Sequence, residues 1–497
     1  MPGGGLEISA EPGGIGTGSV EHMNSRKGRT ALSVVTERPG RLRMRVPSAA
    51  ESQAERPSAE RGWATAGRFG WGLADQSLSS LTSFALAVLV ARTLSPSQFG
   101  AFSLAFSGCT LALGSSRALA AEPLLVRHSG SDMESWRAAA RAASGTSVVV
   151  GSILGLGVLV AAWAMHGPLR QALLPLGLLL PALLLQDLWR DAFFSIRKGH
   201  LAFLNDLSRG AMMLAPLLLL PRVRAASVSW FVFAWAGSAA VAAALGALQA
   251  GTIPRPCLAG RWLSAHRDLA PRYLGEFLAM NFALEFVLYG VAAAAGLSAA
   301  GAYKGAGLLM GPLNVLFVGV ALAAIPEAVG LFRAHPSRLR PVTVLLSVTL
   351  AAGVVMWTSV VLLLPDRIGR LALGESWVTA RAVVLPMGVA LVASSAVAGA
   401  LFGLRALAAA RQSLKARLIT ASLMAVGGIS GAVTGGARGA AWGVALTMWM
   451  GAIAWWWYFT IALRECRRAP AEGGPAEGAV ASVGSGPQSG CCAGDPP

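Results

Sequence analysis

Charge is scarce in this chain. Only 13% of its 497 residues are Asp, Glu, Lys or Arg, about half the share of a soluble domain, which excludes a water-facing surface over most of the length. Acidic residues are the scarcer kind, 24 against 41 basic, for a formal charge of +17. The basic residues are not interleaved with aromatics on one face but punctuate apolar segments, which argues against nucleic acid as a partner. Five cysteines, Cys109, Cys257, Cys466, Cys491 and Cys492, show neither paired nor metal-ligand spacing, so no structural disulfide is expected. The six histidines (His22, His128, His166, His200, His266, His335) fall in tails or between apolar runs, which speaks against a buried metal site or histidine proton relay. The chain lacks G-x-x-x-x-G-K-[ST], H-E-x-x-H and G-x-S-x-G, so ATP hydrolysis, hydrolytic catalysis and a bound cofactor are not expected.

Apolar length fills the place of charge. Hydrophobic residues make up 54% of the chain, and their runs reach the roughly 20 residues a helix needs to cross a bilayer. Twelve spans are read at 69–91, 99–121, 143–165, 170–188, 203–221, 228–249, 271–294, 302–325, 342–364, 382–403, 414–434 and 439–462. The expectation is an all-α integral membrane protein of twelve transmembrane helices in two pseudo-twofold six-helix lobes, 69–250 and 271–463, joined by a cytoplasmic linker at 251–270. Residues 1–68 and 464–497, rich in Gly, Pro, Ser and Ala, are read as disordered cytoplasmic tails, the first basic enough to rest on anionic lipid head groups.

Orientation follows from the basic residues, because Lys and Arg are retained on the cytoplasmic side. They crowd alternate connections, with Arg137 and Arg141, Arg197 and Lys198, Arg261 and Arg267, and Arg411, Lys415 and Arg417 among them. That phase puts both termini in the cytoplasm, which an even number of spans requires. Prolines within spans, Pro175, Pro181, Pro216, Pro312, Pro326 and Pro386, mark tolerated kinks. Gly427, Gly431, Gly435, Gly439 and Gly443, four residues apart, suit close helix packing around a tight outer turn.

An echo relates the halves. The first span ends in Leu94-Ser95-Pro96-Ser97-Gln98-Phe99-Gly100-Ala101-Phe102, and the seventh in Leu297-Ser298-Ala299-Ala300-Gly301-Ala302-Tyr303. Both write Leu-Ser, then Gly-Ala and an aromatic, as a parallel repeat would.

Polar groups within spans are costly, about 2.5–3.5 kcal/mol for a charge at a helix centre, so each is a functional candidate. Asp75, Ser79, Thr82 and Ser83 fall within roughly 100° of one another on the first span, a stripe that must face protein or water. Asn281, Glu285 and Tyr289 share one face of the seventh. Glu285 is the deepest carboxylate and suits coupling to a proton or cation such as sodium, or else is a neutral structural acid. Arg117 offers a planar fork for a diphosphate, or pairs with Glu122 as a structural ion pair. Lys304 is a further substrate-binding candidate and Glu276 a further ion-coupling one, both near span ends. Asp187, Arg190 and Asp191 are either a gate of ion pairs between the halves or a solvated helix end.

Two stretches then resemble a known family. Val90-Ala91-Arg92-Thr93-Leu94-Ser95-Pro96-Ser97-Gln98-Phe99-Gly100 resembles the A-R-x-L-x-P-x-x-[FY]-G signature of polysaccharide flippases in the multidrug/oligosaccharidyl-lipid/polysaccharide (MOP) exporter superfamily, the O-antigen and teichoic-acid exporter type. Leu373-Gly374-Glu375-Ser376-Trp377 is similar to their [FL]-G-x-x-[WY] element. The resemblance covers residues 68 to 463. It implies a MATE-like fold with a cavity between two lobes, and alternating-access export of a polyprenyl-diphosphate-linked saccharide across the cytoplasmic membrane for cell-surface polysaccharide synthesis. The family's set of cavity cations has no clear counterpart here. A MATE-like drug or cation antiporter is the main alternative. A membrane-embedded polymerase or ligase is disfavoured because the outer connections are short, so the chain is read as a transporter rather than an enzyme, with a lipid-linked saccharide and membrane lipids as its partners.

Overall fold

The computed structural model describes residues 58–219, 227–314, 316–317, 320 and 338–468. Expectations for the tails, Arg222, Arg224, Pro326, His335 and the far half of the eighth span fall largely outside these residues. The described residues from 68 to 468 form one compact unit.

Every regular element among the described residues is a helix. In chain order they are α1 (Ser58–Thr93), α2 (Pro96–Ser116), α3 (Glu122–His128), α4 (Met133–Ala164), α5 (Gly167–Ser195), α6 (Gly199–Leu219), α7 (Val228–Ala250), α8 (Ala259–Ala265), α9 (Ala270–Ala295), α10 (Leu297–Leu309), α11 (Leu339–Leu363), α12 (Asp366–Leu373), α13 (Ser376–Ala406) and α14 (Ala410–Arg468). Among the described residues eight helical stretches are long and apolar enough to cross a membrane. The chain is a multi-pass membrane protein.

Local chemistry sets the helix ends. Ser95 caps α2 and Gln98 reaches back to the cap backbone, a capping box, with Pro96 at the first helical position; two orphan amides are thereby satisfied and the turn between α1 and α2 is fixed. Asp132 caps α4 by accepting from the amides of Glu134 at 3.0 Å and Ser135 at 2.9 Å. α7 stops at Gly251, at φ +62°, and α9 at Gly296, at φ +85°, backbone conformations that favour glycine. α14 is two helices joined at Gly435 and Gly436, whose backbone is non-helical. Its glycines face each other in antiparallel pairs, Gly431 with Gly439 and Gly427 with Gly443, so the expected turn and close packing are both present. Prolines 175, 181, 216 and 386 lie inside helices that continue past them.

Packing follows the halves of the sequence. α5 packs on α2, α4 and α7, and α6 on α7; α14 packs on α9 and α13, and α11 on α13. The connection after α7 docks on the first half: Arg255 N donates to Arg141 O at 3.0 Å, and Trp262 Nε1 to Leu119 O at 3.1 Å.

The halves meet through α2 against α9 and α10, and the repeated turns are the point of contact. A Cβ on Gly100 would overlap Leu297 O, and one on Gly301 would stand 2.6 Å from Pro96 O and 3.1 Å from Gly100 N. The contact is reciprocal, as a twofold relation between two copies of one motif requires. Leu373 and Trp377 join Leu94 and Phe99 in one buried cluster, and Gly374, at φ +56°, sits against Arg92 O. The stretches that looked like a family signature therefore converge with the repeat at one end of the helix bundle.

Candidate functional site: a cavity between the halves

Behind that contact lies a cavity of about 540 Å³. α1 and α2 contribute Ser83, Phe84, Phe99, Phe102, Ser103 and Phe106; α9 and α10 contribute Glu285, Leu288, Tyr303 and Lys304; α13 and α14 contribute Met387, Ser394, Met424 and Met448. The wall is mostly apolar, with aromatic rings and methionines set among aliphatic side chains, which makes an adaptable surface. Glu285 and Lys304 are the carboxylate and the ammonium in it.

Both are seated on α2. The Ser107 hydroxyl, on a fully buried residue, donates to Glu285 Oε2, and Lys304 Nζ stands 5.9 Å from the centroid of the Phe106 ring, within cation–π range. One turn further along α9, the Tyr289 hydroxyl donates to Leu104 O at 3.0 Å. The expected face of the seventh span is thus the face turned to the first half, although the other member of that triad departs: Asn281 Nδ2 donates to Phe277 O in its own helix at 3.0 Å, and does not line the cavity.

Arg117 is placed elsewhere. It opens a π-helical turn, Arg117–Ala121, and its Nε and Nη2 donate to Asp187 Oδ2 and Oδ1 at 2.6 and 2.5 Å, with Asp191 Oδ2 at 3.7 Å. The fork read as a diphosphate clamp holds a carboxylate, and that carboxylate is Asp187, not Glu122. Arg190 donates through Nε to Asp75 Oδ2 at 2.6 Å and through Nη2 to Gln76 Oε1 at 2.9 Å, with Asp206 Oδ2 at 3.7 Å. Gln186 bonds Asn205, Asp206 and Arg209. Every member belongs to the first half, so Asp187, Arg190 and Asp191 tie α1, α5, α6 and the π turn after α2 together, and form neither a gate of ion pairs between the halves nor a solvated helix end. Asp75 is fully buried and outside the wall of the large cavity, and among the described residues its second oxygen has no hydrogen-bond partner. Glu276 is exposed near the start of α9 and lines neither cavity described here.

The stripe on α1 faces inward as its periodicity requires. Ser83 reaches the large cavity, while Ser79 and Thr82 line a second cavity of about 30 Å³ with Asp206, Arg209 and Trp235. Sequence reasoning missed Ser107 and Phe106; Ser103 and Ser107, four apart on one face of the second span, were the available signal. It also missed Asp206, which the sequence offers no reason to separate from other acids near span ends.

No family model matches the chain and none of the curated proteins does. Among solved structures, it is similar to the inward-facing conformation of a multidrug resistance MATE family transporter of the MOP superfamily, at TM-score 0.61 and 13% identity, covering 80% of this chain and 99% of that one. The outward-facing conformation of such a transporter gives TM-score 0.51 at 13% identity, over 79% and 93%. The lipid II flippase MurJ, in an inward closed conformation, gives 0.58 at 10% identity, over 80% and 90%. The chain has the all-helical fold of MOP superfamily transporters.

Proposed function

We propose that this protein is an alternating-access exporter that moves a polyprenyl-diphosphate-linked saccharide across the cytoplasmic membrane for cell-surface polysaccharide synthesis. The observation that carries the reading is the cavity walled by both halves, with the reciprocal Gly100–Gly301 contact next to Phe99 of its wall. A site shared by two packed bodies changes its exposure when they rock against each other. By the charge pattern, with both termini cytoplasmic, the repeated turns lie at the outer end and the cavity is read as facing inward. The higher likeness to an inward-facing relative of the fold than to an outward-facing one agrees with this.

A saccharide head with phosphates needs a cation and hydrogen-bonding groups within apolar walls. Lys304, Ser83, Ser103 and Ser394 supply them, and Lys304 takes the phosphate role expected of Arg117. Glu285, the carboxylate in this wall, is the coupling acid for a proton or sodium ion. Asp75, Arg117, Asp187, Arg190 and Asp191 hold the first half as one rigid body, which is what rocking requires.

The second reading, export of lipophilic cations, is favoured by the same Glu285 beside Met387, Met424 and Met448. Reconstituted vesicles distinguish them. Gradient-dependent translocation of a polyprenyl-diphosphate saccharide that stops in Lys304→Gln supports the flippase; translocation of an alkylammonium dye with indifference to Lys304 supports the antiporter and overturns the first reading.

A further inference from the structure

Glu285 and Lys304 carry opposite charges, line the same cavity, and make no ion pair among the described residues. Among the described residues Glu285 has the Ser107 hydroxyl and Lys304 the Phe106 ring face. They rest on consecutive residues of α2 and line one cavity, yet each is satisfied by a neutral group. Elsewhere in the first half charges within or at the ends of spans are paired, Arg117 with Asp187 and Arg190 with Asp75. A charge left without a counter-charge in an apolar wall is expensive, and the complement it lacks is the natural property of a ligand.

We infer that the cavity takes an amphiphile whose head carries both an anion and a cation: a phosphate seated at Lys304 and a protonated primary amine at Glu285, with the acyl or prenyl chain against Phe84, Phe102 and Met424. This rests on the transporter reading and narrows its substrate to a phosphate-linked saccharide bearing a free amine. A head with phosphates alone leaves Glu285 facing like charge, and a bare cation leaves Lys304 doing so. With both groups present, each unpaired charge gains a charge-assisted hydrogen bond. Substrate amine and coupling proton then exclude each other at Glu285, because the carboxylate accepts only one of them as its neutralising charge.

The test uses the purified full-length protein in an uncharged detergent and four probes. Lysophosphatidylethanolamine carries phosphate, amine and chain; lysophosphatidylglycerol lacks the amine; dodecylammonium lacks the phosphate; phosphoethanolamine lacks the chain. The expected order of affinity puts the first ahead of each of the others by roughly tenfold to a hundredfold, the worth of one charge-assisted bond. Lys304→Gln should abolish its advantage over dodecylammonium and Glu285→Gln its advantage over lysophosphatidylglycerol, while Lys304→Arg restores the first. Thermal unfolding of each variant without probe shows whether it is folded, and the wild-type rank order stands as a test without any variant. Equal binding of lysophosphatidylethanolamine and lysophosphatidylglycerol overturns the amine site, and equal binding of phosphoethanolamine overturns the amphiphile. Vesicles that translocate a lipid-linked saccharide without preference for a free amine sink this inference alone, whereas vesicles that translocate no amphiphile sink the transporter reading beneath it.

Discussion

Arg117 grips both carboxylate oxygens of Asp187, from the π turn that follows α2 to the far end of α5, at 2.6 and 2.5 Å. The pair is side-chain-to-side-chain, bidentate, and flanked by Asp191, an arrangement in which a planar fork is worth more than a point charge.

Replacing Arg117 by Gln should therefore lower stability while leaving probe affinity in the cavity unchanged. Asp187 is about one-tenth exposed and Arg117 four-tenths, so the cost is expected near 1–3 kcal/mol, below that of breaking a fully buried pair. A double-mutant cycle with Asp187→Asn, read by thermal unfolding, should return a coupling of similar size; loss of ligand binding at unchanged stability would return Arg117 to the substrate.

Arg190→Ala should cost more, about 3–5 kcal/mol, because Asp75 is fully buried and would lose its one charged partner. Asp75→Asn in the same background should recover part of the loss. If Arg190→Ala unfolds at the wild-type temperature, the network is ornamental to the first half and its rigid-body role fails.

Gly100→Val should force the repeated turns apart, since a side chain there meets Leu297 backbone and cannot be relieved by rotation. Impermeant maleimide labelling of Ser97→Cys and Ser298→Cys measures the consequence: both label only from outside in the parent, and faster in the Gly100→Val background. Labelling from the cytoplasm would overturn the orientation.

Asp366, in the short helix α12 outside the spans, receives Trp377 Nε1 at 2.9 Å and Arg381 Nη1 at 2.6 Å. The indole hydrogen bond first, and the guanidinium after it, hold its carboxyl below the usual carboxylate range. A depressed folded value means the linkage stabilises the α12–α13 corner above the ordinary carboxylate pKa of about 4 and is lost as pH falls through the folded value. Hydrogen exchange at residues 366–381 should rise on acidification below about pH 4 in the parent, and be already raised and flat in Asp366→Asn.

What the sequence determined is periodicity. Apolar runs set the helices; Ser95-Pro96-Ser97-Gln98 set a capped turn; the four-residue glycine repeat set the α14 hairpin; and the stripe from Asp75 to Ser83 set an inward face, because each depends only on neighbours within a turn or two of helix. Partnership was decided by the tertiary structure. Arg117 meets Asp187 across 70 positions and Glu285 meets Ser107 across 178, and no helical period says which neighbouring helix a polar face will find. The cost of an unpaired charge in an apolar bundle guaranteed that both would be satisfied somewhere. Only the packing of α2 between α5 on one side and α9 and α10 on the other gave the arginine a carboxylate and left Glu285 and Lys304 open to a cavity.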